Sequence, residues 1–141
     1  MYTGVQKDLS IEVCVNILIA DDSSLIRSNL GKLIACLEKD ISIRESSDVK
    51  ETIEVLESTF VDILVLDIQF PDGNGFDVLS HIRSSVKSKD RPYIIVLTNY
   101  ADENMRKKSM QMGADDFFDK SEEFENLVEV IKKAEDLPGK A

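Results

Sequence analysis

Short apolar runs, each closing on a polar or charged residue and each followed by a stretch of helical period, recur five times along this chain. No other feature limits the possible folds as strongly. The runs occupy residues 13–20, 41–45, 61–67, 93–98 and 116–120. Between them, apolar residues recur at the three- and four-residue spacing of a helix face. Strands separated by helices join through right-handed crossovers, which give a parallel sheet covered on both faces. The expected fold is therefore α/β, a doubly wound five-stranded parallel sheet flanked by five helices.

The helical segments carry their own punctuation. Leu25, Ile26, Leu30, Leu33, Ile34 and Leu37 mark one face over residues 23–38, with Ser23 or Asp22 as cap. Asp48 is placed to cap a helix carrying Val49, Ile53 and Leu56. Residues 71–75 read as a loop by composition, and Phe76, Leu79, Ile82 and Val86 mark the helix after it. Residues 102–112 form a fourth helix, ended by Gly113, and residues 121–137 a fifth with Phe124, Leu127, Val128 and Ile131 on one face. One folded domain over residues 13–137 is expected, with an extension over 1–12 and a tail over 138–141. The polar run over 84–91 reads as a surface loop.

Charge narrows the function. Seventeen basic residues against 27 acidic ones leave a net charge of −10 in 141 residues, the wrong sign for binding nucleic acid or an anionic membrane. No apolar stretch approaches the roughly 20 residues of a membrane span, and no signal peptide is visible. Cys14 and Cys36 read as two reduced core thiols. The expectation is a soluble, cytoplasmic protein.

In a parallel sheet the closing residues of the runs share one rim, at the carboxyl ends of the strands, where open α/β sheets bind ligands. Asp21 and Asp22 follow the first run, Asp67 the third, Thr98 the fourth and Lys120 the fifth. Taken singly these are ordinary: a helix cap, a surface lysine, a β-branched strand end. Together, the carboxylates would repel unless a cation sat among them. An oxygen-only donor set with open positions suits Mg²⁺, and no His/Cys set exists for zinc, since His81 is the only histidine and falls in a helix pattern. A carboxylate can also attack a phosphoryl group, with an ammonium such as that of Lys120 and a hydroxyl such as that of Thr98 balancing the charge.

Four segments then resemble the response-regulator receiver domain of the CheY type. They are Ile-Ala-Asp21-Asp22-Ser, Val-Leu-Asp67-Ile-Gln-Phe-Pro71-Asp-Gly-Asn-Gly75, Val-Leu-Thr98-Asn and Gly113-Ala-Asp-Asp-Phe117-Phe-Asp-Lys120-Ser. They stand in the family's order over about residues 13–135. The resemblance implies strand order 2-1-3-4-5 and phosphorylation of Asp67 by a sensor histidine kinase or a histidine phosphotransfer protein. It implies Mg²⁺ (or Mn²⁺) held by Asp21, Asp22, Asp67 and the backbone carbonyl of Gln69. It casts Lys120 as the partner of aspartate and phosphate, Thr98 and Phe117 as switch residues, and the helix after Asp22 as the kinase's docking element. Simple core packing is the competing reading of Phe117.

Two positions depart from the family's pattern. Asn99 stands where the family most often has Ala or Gly, and Ser121 follows Lys120 where a cis-proline is usual. A trans Lys120–Ser121 peptide puts the placement of the Lys120 ammonium in question. Gln69 and Tyr100 occupy positions that tune phosphate lifetime, and a bulky Tyr100 is expected to shield the phosphate.

The reading is a phospho-acceptor, not a turnover enzyme, which at most catalyses its own phosphorylation and dephosphorylation. With no output domain in sight, its output would be a protein–protein contact or onward phosphotransfer, as a monomer or a phosphorylation-dependent dimer. The alternative is a receiver-like binding module that acts without phosphorylation. A hydrolase with an aspartyl-phosphate intermediate ranks last, because the position two beyond Asp67 is Gln69 and not a second aspartate.

Overall fold

A computed structural model describes residues 14–37, 40–87, 90–99, 101–121 and 124–133. Five strands alternate with five helices among them. The order is β1 (Val15–Ala20), α1 (Ser24–Ala35), β2 (Ile41–Ser46), α2 (Val49–Ser58), β3 (Ile63–Leu66), a small hairpin β4 (Gln69–Phe70) and β5 (Gly73–Asn74), α3 (Gly75–Ser85), β6 (Tyr93–Thr98), α4 (Glu103–Gln111), β7 (Asp116–Asp119) and α5 (Phe124–Lys132). The main sheet is parallel throughout, in the order β2-β1-β3-β6-β7. This is the expected 2-1-3-4-5 arrangement of the five sheet strands. The hairpin is separate and antiparallel, pairing Gln69 with Asn74 and Phe70 with Gly73. The stretch expected as a plain loop therefore contains a two-residue strand, and α3 already begins at Gly75.

The strands explain themselves by their two apolar faces. Ile17, Ile19, Ile63, Val65, Ile95 and Leu97 point to one side, against Leu30 and Ile34 of α1 and Leu127 and Ile131 of α5. Leu18, Ala20, Leu64, Leu66, Ile94 and Val96 point to the other, against Val49 of α2 and Val78, Leu79 and Ile82 of α3. Period-two alternation of side chains, all of them apolar, is what a sheet buried on both faces requires. The helices start at the same rim on side-chain caps. Ser23 Oγ accepts from the Ile26 N–H, Asp48 from Glu51 and Asp102 from Met105, while Asn74 and Asp77 form a reciprocal capping box.

Three expectations need correction. The apolar face of α1 is only partly inward: Leu30 and Ile34 are buried, but Leu25 is 67% exposed and Leu33 is exposed too. Cys36 is not a core thiol; it caps the end of α1 and is exposed, while Cys14 is half-buried, and both are free. The strand expected over 116–120 stops at Asp119, which leaves Lys120 in the turn. The extension over 1–12, the tail over 138–141, Tyr100, the capping pattern at 121–123 and the end of the last helix beyond 133 lie wholly or partly outside the described residues.

Candidate cation and phosphoryl site

Asp21 and Asp67 stand one residue past the ends of the adjacent strands β1 and β3, and backbone hydrogen bonds hold both there. The Asp21 N–H donates to Ser46 O on β2 at 3.0 Å, and the Asp67 N–H donates to Ala20 O at 3.0 Å. The strand order reverses between β1 and β3, so the two carboxylates flank the crevice where such sheets bind ligands. Both are buried, at 3% and 5% exposure, whereas Asp22 is exposed. One ligand oxygen from each of Asp21, Asp22 and Asp67 falls within 4.8 Å of the others. These three could hold a metal ion, and oxygen donors alone suit a hard cation.

Lys120 crosses from the far side of the sheet to join them. Its Nζ lies 2.6 Å from Asp21 Oδ2 and 2.8 Å from Asp67 Oδ2, with its side chain 7% exposed. The Lys120–Ser121 peptide is trans, since no described peptide is cis. The trans bond thus leaves the ammonium in place. A hydrogen bond from the Lys120 N–H to Thr98 O, at 3.1 Å, anchors the turn to the end of β6.

The electrostatics follow from this crowding. Burial raises the Asp21 carboxyl pKa above its ordinary value; the Lys120 hydrogen bond and the Ser23 N–H pull the other way, and the Asp67 charge adds to the rise. Burial alone would lower the Lys120 pKa, but its hydrogen bonds to Asp21 and Asp67 outweigh it and the net shift is upward. Lys120 therefore stays an ammonium. It supplies one positive charge against three carboxylates.

The remaining lone pairs are distributed unevenly. Asp67 Oδ1 accepts the Ile68 N–H at 2.6 Å, and Asp21 Oδ1 accepts the Ser23 N–H at 2.9 Å. Asp22 makes no side-chain hydrogen bond or ion pair to a described residue, so its carboxylate is available to a ligand. A cavity of about 380 Å³ opens over the group, and its lining includes Asp22, Asp67, Gln69, Asn99 and Lys120 together with Ile26 and Pro71. Phosphoryl-sized ligands with attendant waters fit such a volume.

Thr98 is fully buried at the end of β6, and it is its neighbour Asn99 that lines the cavity. Phe117 on β7 is 3% exposed, with the Arg106 guanidinium 5.0 Å from its ring centroid. His81 is half-buried on α3, with Nε2 3.6 Å from a Glu57 carboxylate oxygen, away from the cavity.

Arg27 is one participant that strand-end reading passes over. Its guanidinium reaches back from α1 to the Asp21 carbonyl. The available signal was a basic residue in the first turn of a helix, where the macrodipole disfavours it and something else must hold it.

An open sheet with a lysine-bridged acidic cradle at its switch point defines a receiver-type fold, and comparison with known proteins agrees. The response regulator receiver domain family matches residues 17–132. The chain is 32% identical over 130 residues to the sensory transduction protein LytT of Enterococcus faecalis, covering 90% of this chain and 50% of that protein. It is 28% identical over 132 residues to the transcriptional regulatory protein PdtaR of Mycobacterium tuberculosis, covering 94% and 62%. It thus spans half to under two thirds of those relatives. Among solved structures, a CheY-like receiver domain protein from Methanospirillum hungatei superposes with a TM-score of 0.74 at 24% identity, over 87% of this chain and 94% of that one. A DNA-binding response regulator of the LuxR family from Staphylococcus aureus gives 0.73 at 25%, over 85% and 98%. The chain belongs to the response regulator receiver domain family, a component of two-component signalling systems.

Proposed function

We propose that Asp67 accepts a phosphoryl group from the phosphohistidine of a sensor histidine kinase or a histidine phosphotransfer protein. One observation carries the reading: a single ammonium bridges Asp67 and Asp21 at 2.8 and 2.6 Å inside a cluster of three carboxylates. Asp21, Asp22, Asp67 and the backbone carbonyl of Gln69 would hold Mg²⁺ or Mn²⁺. Bound there, the ion supplies positive charge against the carboxylates and the phosphoryl oxygens.

In the transfer, an Asp67 oxygen bonds to phosphorus as the P–N bond to the donor imidazole breaks, its electron pair returning to the nitrogen. Lys120, released from part of its contact with Asp67, pairs with a phosphoryl oxygen. Thr98 swings its hydroxyl toward the same group, and Phe117 follows into the space left in the core. The surface of α4, β7 and α5 changes with it and carries the output, through a protein–protein contact or onward phosphotransfer. Half-buried Ile26, which lines the cavity, and the exposed Leu25 beside it in sequence on α1 support docking of the donor there. Asn99 and Gln69 at the mouth tune hydrolysis. The chain speeds only its own phosphorylation and dephosphorylation. Among the described residues no helix is long and apolar enough to cross a membrane; the proposed site of action, beside the phosphodonor, is the cytoplasm.

Incubation with Mg²⁺ and a small phosphodonor, followed by peptide mass mapping, tests this. An acid-stable, base-labile phosphoryl group on the Asp67 peptide, absent from Asp67→Asn, is expected. No modification by small donors or by active histidine kinases would leave a binding module that acts unphosphorylated. Multiple turnover of a phosphate ester would point to a hydrolase.

A further inference from the structure

Arg27 takes no part in the chemistry above, yet its guanidinium is held on two sides, by the site and by the neighbouring strand. Nη1 donates to the Asp21 carbonyl oxygen at 2.7 Å, and Nε donates to Glu45 Oε1 at 2.8 Å. Its side chain is 17% exposed, so the contact is fixed by packing as well as charge. Glu45 lies on β2, paired in register with Ile19 of β1, so the arginine straps the β1–α1 turn to the neighbouring strand.

The Asp21 carbonyl belongs to the peptide unit that leads into Asp22. Asp21 is held by its N–H, by Ser23 and by Lys120. Asp22 has no comparable side-chain partner among the described residues, so its carboxylate stands where its backbone puts it. We propose that Arg27 is a positioning residue for the cation site. By clamping the Asp21–Asp22 peptide, it sets the approach of the Asp22 carboxylate to Asp21 and Asp67. This rests on the reading that the three carboxylates hold a divalent cation.

Geometry and charge predict opposite signs, which makes the inference easy to overturn. Removing a positive charge beside a cation site favours the cation. Removing the group that orients a ligand weakens the site, by about tenfold at the low end of the usual range.

The experiment is a Mg²⁺ titration of the full chain followed by amide chemical shifts, for wild type, Arg27→Met and Arg27→Lys. Arg27→Met is expected to bind Mg²⁺ about tenfold more weakly despite the lost positive charge. Arg27→Lys keeps the charge but loses the planar fork, and is expected between the two. At saturating Mg²⁺, the rate of Asp67 phosphorylation by a small donor should return to near wild type in both. An unchanged or tighter Mg²⁺ affinity in Arg27→Met overturns the inference, as does a rate that saturating Mg²⁺ fails to restore. Where the methionine variant does not fold, a lysine variant as tight as wild type overturns it. A wild-type chain that binds no Mg²⁺ would instead remove the cation reading itself, and the inference with it.

Discussion

A methyl group on Gly75 would run into the Asp67 carbonyl oxygen and come within 3.1 Å of the Ile68 Cα. The same methyl on Gly31, in the middle of α1, would meet nothing within 4 Å. The two substitutions should therefore act in opposite directions. Gly75→Ala is expected to destabilise by about 1–3 kcal/mol, because backbone cannot yield as a side chain can, and to slow phosphorylation by displacing Asp67. Gly31→Ala is expected to stabilise by about 0.5–1 kcal/mol, the usual gain in a helix interior. Urea midpoints at constant slope measure both. The sequence sets the two glycines apart, one at a loop end and one in a helical stretch, but it does not show the clash, which comes from the backbone of Asp67 and Ile68 just past β3. The same holds for Cys36, whose place on a helical face suggested burial that the end of α1 does not provide. By contrast Asp21, Asp67 and Lys120 were legible, since each closes a run whose direction the fold class sets.

Between elements, Asp72 does what no single helix can do for itself. From the turn of the β4–β5 hairpin its carboxylate accepts the N–H groups of Val49, at 2.8 Å, and Lys50, at 3.1 Å, at the start of α2. Those bonds, the Val49 one foremost, hold its pKa below the ordinary 3.8. A folded-state pKa below the unfolded value means stability that is present above the unfolded value and lost as pH falls through the folded one. The melting-temperature gap between wild type and Asp72→Asn should thus be full at neutral pH and close as pH drops below about 4. A gap that stayed constant into acid would contradict this. The hairpin that carries Asp72 was not visible beforehand, because two-residue strands show no periodicity. The main strands were visible because residues such as Leu64 and Val65 are buried on opposite faces, and a continuous apolar run records both.

Across the whole molecule, residues up to 99 positions apart in sequence, Asp21 and Lys120, meet because parallel strands deliver their ends to one rim. No single motif implies that meeting; the topology does. What topology left open was finer: that Thr98 is buried while Asn99 lines the cavity, and that Lys120 reaches its partners with a trans peptide after it. A site shared by the whole sheet should also stabilise the whole sheet. At a concentration 100 times its dissociation constant, Mg²⁺ is expected to add about 2.7 kcal/mol to stability by mass action, seen as a raised melting temperature. Asp22→Asn should forfeit most of that gain. The most direct measurement is paramagnetic relaxation by Mn²⁺ in amide NMR spectra, because it reports where a cation sits and not merely that it binds. Saturable broadening centred at once on the backbone around Asp21, Asp22, Asp67 and Lys120, with one dissociation constant, is the predicted result. Broadening scattered over the acidic surface, or confined to one of these segments, would contradict it.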